Sequence, residues 1–248
     1  MHWPTTARAA SVFILTGLMF TAADRAAAQP IDDAITDKSR DAILETRLAY
    51  VITGDEPLDT LSAQALSGLS RELYRRTALE PASPIAVNPE TDDLSIYPFL
   101  YWPISAGVTP LSDASLANVE SFMRFGGLIL FDTRDAEARA TNATTAQANA
   151  LQAILRQLDI PPLAQIDDQH VLLRSFYLLD DLHGRFPGET VWAQAGSANA
   201  NDGVTPLIVG GRDWASAWAV DDLGQYVRPM SSNNERAREY AYLSLIHI

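Results

Sequence analysis

The sequence predicts a wound α/β domain, on three observations. From Leu116 to Asp135, LANVESFMRFGGLILFDTRD, an amphipathic helix meets a Gly126-Gly127 break, an apolar strand and an abrupt polar tip. That is one αβ step of such a sheet. Elsewhere short β-rich runs alternate with segments whose apolar residues recur at helical spacing. Finally, 248 residues with 47% hydrophobic and 20% charged content can bury a sizeable core, arranged as one large domain or at most two.

Taken in order, Arg47 to Thr53 (RLAYVIT) is a first strand closed by Gly54-Asp55. Leu58, Ala65, Leu66, Leu69 and Leu73 then form a helical stripe over Asp59 to Thr77, with Arg71, Glu72, Arg75 and Arg76 on other faces. The proline-rich stretch Ala78 to Asp93 reads as a loop, and Leu94 to Tyr101 as the next strand. Pro98 lacks an amide donor, which places it near a bulge or a sheet edge.

Ser112 or Asp113 caps the helix leading to Gly126-Gly127, and the glycines turn the chain into the strand Leu128 to Phe131. Thr141 to Leu158 is a helix stopped by Pro161-Pro162. Gln169 to Leu179 is apolar and of open type, while Thr190 to Ala195 and Pro206 to Val209 read as strands. Gly210-Gly211 turns the chain toward Trp214 to Val220, and Asn233 to Tyr242 is a charged helix exposing Glu235, Arg236 and Glu239.

Residues 1 to 28 differ in character. His2 and Arg8 precede the apolar run Ser11 to Ala23, within an apolar stretch spanning residues 9–23, and Ala26 and Ala28 fit an A-x-A cleavage site. The run is shorter than the ~20 residues that span a bilayer, so an export signal is preferred to a permanent inner-membrane anchor. A linker over residues 29–45 and a main domain over 46–242 follow. The last six residues, Leu243 to Ile248 (LSLIHI), match a translated sequencing adapter, so an artefact is expected there.

The formal charge is −13, of which residues 29–248 carry −14. A field of that sign repels phosphate backbones and argues against nucleic acid as a partner. The chain has no cysteine, so neither disulfides nor thiol chemistry are available. No P-loop, no G-x-S-x-G elbow and no clustered histidines occur, so no cofactor or metal is expected.

Candidate chemistry gathers after the strands, where wound sheets collect ligands. Asp132 and Asp135 can act as an acid/base pair or bind a hard cation; alternatively Asp132 caps the following turn and Arg134 neutralises it. Tyr101-Trp102-Pro103 can form an aromatic wall or pack a loop on the core. Asp167, Asp168, His170 and Arg174 make a polar cluster in which His170 pairs with a carboxylate or caps a helix start. Trp214, Trp218 and Asp213 read as core and turn. The candidate ligand-binding set is Tyr101, Trp102, Asp132, Thr133, Arg134, His170 and Arg174, and the candidate catalytic set is Asp132, Asp135 and His170.

These motifs, Arg47-Leu48-Ala49-Tyr50-Val51, Tyr101-Trp102-Pro103-Ile104, Phe131-Asp132-Thr133-Arg134-Asp135, His170-Val171-Leu172 with Phe176-Tyr177-Leu178-Leu179, and Asp213-Trp214-Ala215 with Ala217-Trp218-Ala219, together resemble the bacterial domain of unknown function 4159 (DUF4159). The resemblance covers about Arg47 to Tyr242. It implies a three-layer α/β sandwich with a mainly parallel sheet, similar to the class I glutamine amidotransferase-like, flavodoxin-like superfamily. It also implies a setting: many members join a membrane-anchored region resembling BatA proteins, beside genes for a MoxR-type AAA+ ATPase and a von Willebrand factor A-like protein. No reaction is established for the family. Where amidotransferases carry a nucleophilic Cys, this chain resembles them with Asp132-Thr133. His170 resembles the His of their late His-Pro-like segment, with Val171 in place of the proline.

The first expectation is therefore an exported, non-catalytic binding or scaffold domain, periplasmic or anchored to the inner membrane facing the periplasm. On that expectation Asp132→Ala and His170→Ala leave the fold intact. The alternative is a hydrolase in which Asp132 and Asp135 serve as metal ligand or acid/base and His170 as proton shuttle. A third reading is a periplasmic sensor or assembly part of a membrane complex containing the ATPase.

Overall fold

Among the described residues seven strands form one sheet, in the order β2-β1-β3-β4-β7-β6-β5. They are β1 (Ala49–Val51), β2 (Ile85–Val87), β3 (Phe99–Pro103), β4 (Leu128–Asp132), β5 (Leu163–Gln165), β6 (Trp192–Gln194) and β7 (Leu207–Gly210). The first four and β7 run parallel; β6 pairs with β7 in the antiparallel sense, and β5, antiparallel to β6, runs again in the direction of the others at the edge. The parallel order 2-1-3-4-7, with helices on both faces, is that of a doubly wound α/β sheet. This computed structural model describes residues 45–107, 110–139, 144–174, 177–195, 206–234 and 236–246. The expected signal or anchor at 1–28, linker residues 29–44, Thr141 and His247 lie outside the described residues.

The described residues contain six helices: α1 (Glu56–Arg76), α2 (Asp113–Arg124), α3 (Ala136–Arg139), α4 (Ala146–Leu155), α5 (Trp214–Trp218) and α6 (Ala237–Ile246). The caps follow from the sequence. Asp55 accepts the Leu58 N–H ahead of α1, Ser112 that of Ser115 ahead of α2, and Thr145 that of Ala148 ahead of α4. Gly126, at φ +90°, reverses the chain after α2 as the glycine pair predicts.

Alternation along the central strands divides the core in two. Phe99, Tyr101, Leu128 and Leu130 face a cluster with α1, α5 and α6. Leu100, Trp102, Ile129 and Phe131 face the opposite cluster with α2 and α4. Strands buried on both faces read as continuous apolar runs, which is why β3 and β4 are visible in the sequence. Each fully buried Leu or Ile contributes about 1.5–3 kcal/mol.

Several expectations need correction. The segment Ala78 to Asp93 is not all loop: Ile85–Val87 pairs in parallel with β1 and forms one edge of the sheet. Leu94 to Tyr101 is not one strand, because Leu94–Ile96 forms a 3-10 turn capped by Asp93 and β3 begins at Phe99. Pro98 accordingly sits neither at a bulge nor on an edge strand. It precedes a central strand, where its missing N–H is not needed and its carbonyl accepts from Leu128 N–H at 3.2 Å. The helix expected over Thr141 to Leu158 is shorter, and Gln169 to Leu179 contains a 3-10 turn at Val171–Leu173. The last helix continues past Tyr242, burying Leu243 and Leu245, while the Ser244 hydroxyl accepts the His183 N–H at 2.7 Å.

Candidate functional site

β4 and β7 lie side by side, with Asp132 in register with Gly210. Each ends in a sharp turn built around a non-glycine residue in the left-handed region. After β4 this residue is Arg134, at φ +54°; after β7 it is Asp213, at φ +53°. Such conformations cost of order 1 kcal/mol or more and persist where the surroundings hold them.

Asp132 is what holds them. Its Oδ1 accepts the backbone N–H of Arg134 at 3.0 Å and that of Asp213 at 3.2 Å. Its Oδ2 accepts the Trp214 N–H at 2.8 Å and the Tyr101 hydroxyl at 3.0 Å. The carboxylate is completely buried, as is Tyr101. Burial foremost, then the nearby Asp213 charge, pushes the Asp132 carboxyl up to about 7, against the pull of Arg134 and the backbone donors. Burial and the Asp132 charge likewise raise Tyr101 far above the ordinary phenol range.

The neighbouring carboxylates are also engaged. Asp135 accepts the hydroxyls of Thr133 and Thr145, tying the β4 turn to the start of α4. Gly211 lies so close that a Cβ there would sit 2.4 Å from Asp135 Oδ1. Asp213 Oδ2 accepts from Arg185 Nη1 at 3.1 Å, and Arg212, itself buried, donates to the carbonyls of Leu182 and Glu189 and to Asp181. Two buried polar atoms in this region, Asp213 Oδ1 and Arg134 Nε, have no hydrogen-bond partner.

The sequence-predicted residues therefore divide. Tyr101, Asp132, Thr133, Arg134 and Asp135 come together, and the Asx turn from Asp132 to Arg134 is present. Tyr101 and Trp102 do not form one aromatic wall. As successive strand residues they face opposite clusters, Tyr101 edge-on to Trp218 and Trp102 against Phe131, and both are buried. His170 caps its own 3-10 turn, its Nδ1 accepting from Leu172 N–H at 3.3 Å. Burial lowers its pKa, partly offset by Asp167. Arg174 donates to the Asp168 carbonyl at 2.6 Å. None of the hydrogen bonds on Asp132 or Asp135 comes from His170. Among the described residues no group of three His, Cys, Asp or Glu is placed to hold a metal.

Sequence reasoning read Asp213 as core and turn, which is where it sits, but missed its bond to Asp132 and passed over Arg212 and Arg185. A faint signal exists, since Arg134-Asp135-Ala136 after β4 is echoed by Arg212-Asp213-Trp214-Ala215 after β7. It also passed over the point between β1 and β3 where the strand order reverses, the usual ligand crevice of this topology. There the Asp59 carboxylate accepts Thr53 N–H at 2.9 Å, its hydroxyl at 2.7 Å and Gly54 N–H at 3.2 Å. Exposed Asp55 and Glu56 stand beside it, so the crevice repels phosphate. The signal was Thr53-Gly54-Asp55 directly after a strand.

No curated protein matches the chain. The family model described as Domain of unknown function (DUF4159) matches residues 47–245, and the chain belongs to that family.

Proposed function

We propose that this protein is a non-catalytic binding or scaffold domain of the cell envelope, with an amidotransferase-like ancestry, exported through residues 1–28 or anchored there. One observation carries the reading: the carboxylate at the end of β4 is fully buried and already takes four donors from its own chain. A nucleophile or general base needs a free lone pair within reach of substrate. Asp132 spends its lone pairs holding two turns in place. The family setting supplies the proposed partners, namely a MoxR-type ATPase together with BatA-like and von Willebrand factor A-like proteins. Periplasmic exposure of the domain is part of the same proposal.

The hydrolase reading draws on one feature, a carboxyl poised near neutrality in Asp132. Its burial and the local bonding of His170 weigh against it. The test assays chromogenic ester, phosphate and glycoside substrates with the wild type, Asp135→Asn and His170→Ala. Background turnover in all three is expected; activity in the wild type that both variants lose would overturn the reading. Pull-down from solubilised membranes of the source bacterium is expected to recover the ATPase neighbour, and its absence would remove the partner assignment.

A further inference from the structure

Two concentrations coincide at the C-terminal end of α1. Although the chain carries 31 acidic and 18 basic residues, arginines gather here: Arg71, Arg75 and Arg76 on α1, Arg228 and Arg236 on the segment leading into α6, and Arg238 on α6. The same region displays Tyr74, Leu223, Tyr226 and Val227, four of the large hydrophobic side chains left in water. Leu223 is 85% exposed. These elements are physically joined, because Arg71 Nη1 donates to the Gly224 carbonyl at 3.0 Å.

Between them lies a groove of about 290 Å³ floored by Tyr242 and Met230 and walled by Tyr226 and Arg238. The wall is rigid. The Arg238 guanidinium lies 3.9 Å from the centroid of the Tyr226 ring and donates to the carbonyls of Ala217 and Arg228. Carboxylates are present but partly committed: buried Glu72 accepts from Arg75 and Arg76, and Glu239 accepts from Arg76. Asp221 accepts the backbone N–H groups of Leu223 and Gln225. Arg75 nonetheless keeps 64% of its side chain in solvent, and Arg228 and Arg236 are exposed.

We propose that this face docks an acidic peptide segment of a partner protein that carries a large apolar residue between its carboxylates. Arginine, tyrosine and methionine are the side chains enriched where proteins meet, and contiguous exposed apolar surface marks such places. The apolar residue of the segment enters the groove beside Tyr226 and Leu223. Its flanking carboxylates meet Arg75, Arg228 and Arg236, as bidentate carriers of planar carboxylate recognition. On a chain of net charge −13, the exposed Arg75, Arg228 and Arg236 offer an acidic segment cationic partners, with exposed Asp221 and Asp222 beside Leu223 limiting how it can lie. The surface lies at the other end of α1 from Asp55 and stands whether or not the strand ends prove catalytic.

The test selects a displayed library of random 12-residue peptides on the full chain. Enrichment of sequences with Asp or Glu flanking Leu, Phe or Trp is expected. Synthetic versions of these should weaken at least tenfold in Kd on the Arg75→Gln/Leu223→Ser variant and on raising salt, yet bind the Phe125→Ser control normally. Arg75 and Leu223 are largely in solvent, so circular dichroism and melting temperature should stay at wild-type values. Enrichment of basic or neutral sequences, no enrichment, or acidic peptides indifferent to the double variant would each overturn the proposal. So would Arg75-dependent co-sedimentation with phosphatidylglycerol vesicles in place of peptide binding, which would assign the face to a membrane.

Discussion

Asp132 accepts the backbone N–H of Trp214 at 2.8 Å, joining the end of β4 to the first turn of α5. The two residues are 82 positions apart in the chain. With Tyr101 and the two left-handed turns on the same carboxylate, this bond makes Asp132 a structural hub.

Asp132→Ala is therefore expected to destabilise the domain by about 3–5 kcal/mol, because removal leaves three buried donors and one part-buried donor without their acceptor. This replaces the expectation that the substitution leaves the fold intact. Tyr101→Phe should cost less, about 1.5–3 kcal/mol, since it deletes one bond to a charged group. Urea unfolding of the two variants measures both, and a loss below about 1 kcal/mol for Asp132→Ala would remove the hub role.

The raised Asp132 carboxyl links folding to pH. Between its ordinary value of 3.8 and about 7 the native state holds a proton that the unfolded chain has released. The stability this group contributes is thus complete below about pH 4 and is lost as pH rises toward 7. Wild type compared with Asp132→Asn across that interval should diverge by up to about 1.4 kcal/mol per pH unit. Parallel curves would show that Asp132 stays ionised throughout.

Gly211→Ala tests the contact between the two strand ends. The added methyl meets Asp135 Oδ1 at 2.4 Å and Thr133 Oγ at 2.8 Å, both held from other directions. A loss of about 1–3 kcal/mol is expected by calorimetry. A wild-type melting temperature would mean that the turn yields freely.

His170→Ala should cost only about 0.5–1 kcal/mol, the loss of a cap on a short turn. It should leave the pH profile attributed to Asp132 unchanged. A shift in that profile would reveal a coupling between the two groups that their hydrogen bonds do not carry.

What the sequence made legible followed from local physics. β3 and β4 announced themselves as apolar runs, and the cap of α2 as Ser112 or Asp113, because each depends on a few neighbouring residues, whereas the Thr145 cap of α4 lies later than the start expected at Thr141. β2 stayed hidden since three residues between prolines become a strand only by pairing with β1. The antiparallel sense of β6 had no local signature. At the site, Asp132 stood out as a charge directly after an apolar strand. The roles of Asp213 and Tyr101 did not, because they arise from contacts across 81 and 31 positions. Conversely, His170 and Arg174 drew attention through charged neighbours in sequence, and their hydrogen bonds stay within that same segment.

The span of the Asp132 network also bears on when the domain can form during synthesis. Its donors come from positions 101, 134, 213 and 214, so the cluster cannot close until the ribosome has released nearly the whole domain. Until then Asp132 remains hydrated and ionised at the end of a strand that lacks its β7 neighbour. Pairings of such long sequence separation are slow to form. A chain shortened before Asp213 would therefore lack two of the four donors that complete the network around this side chain.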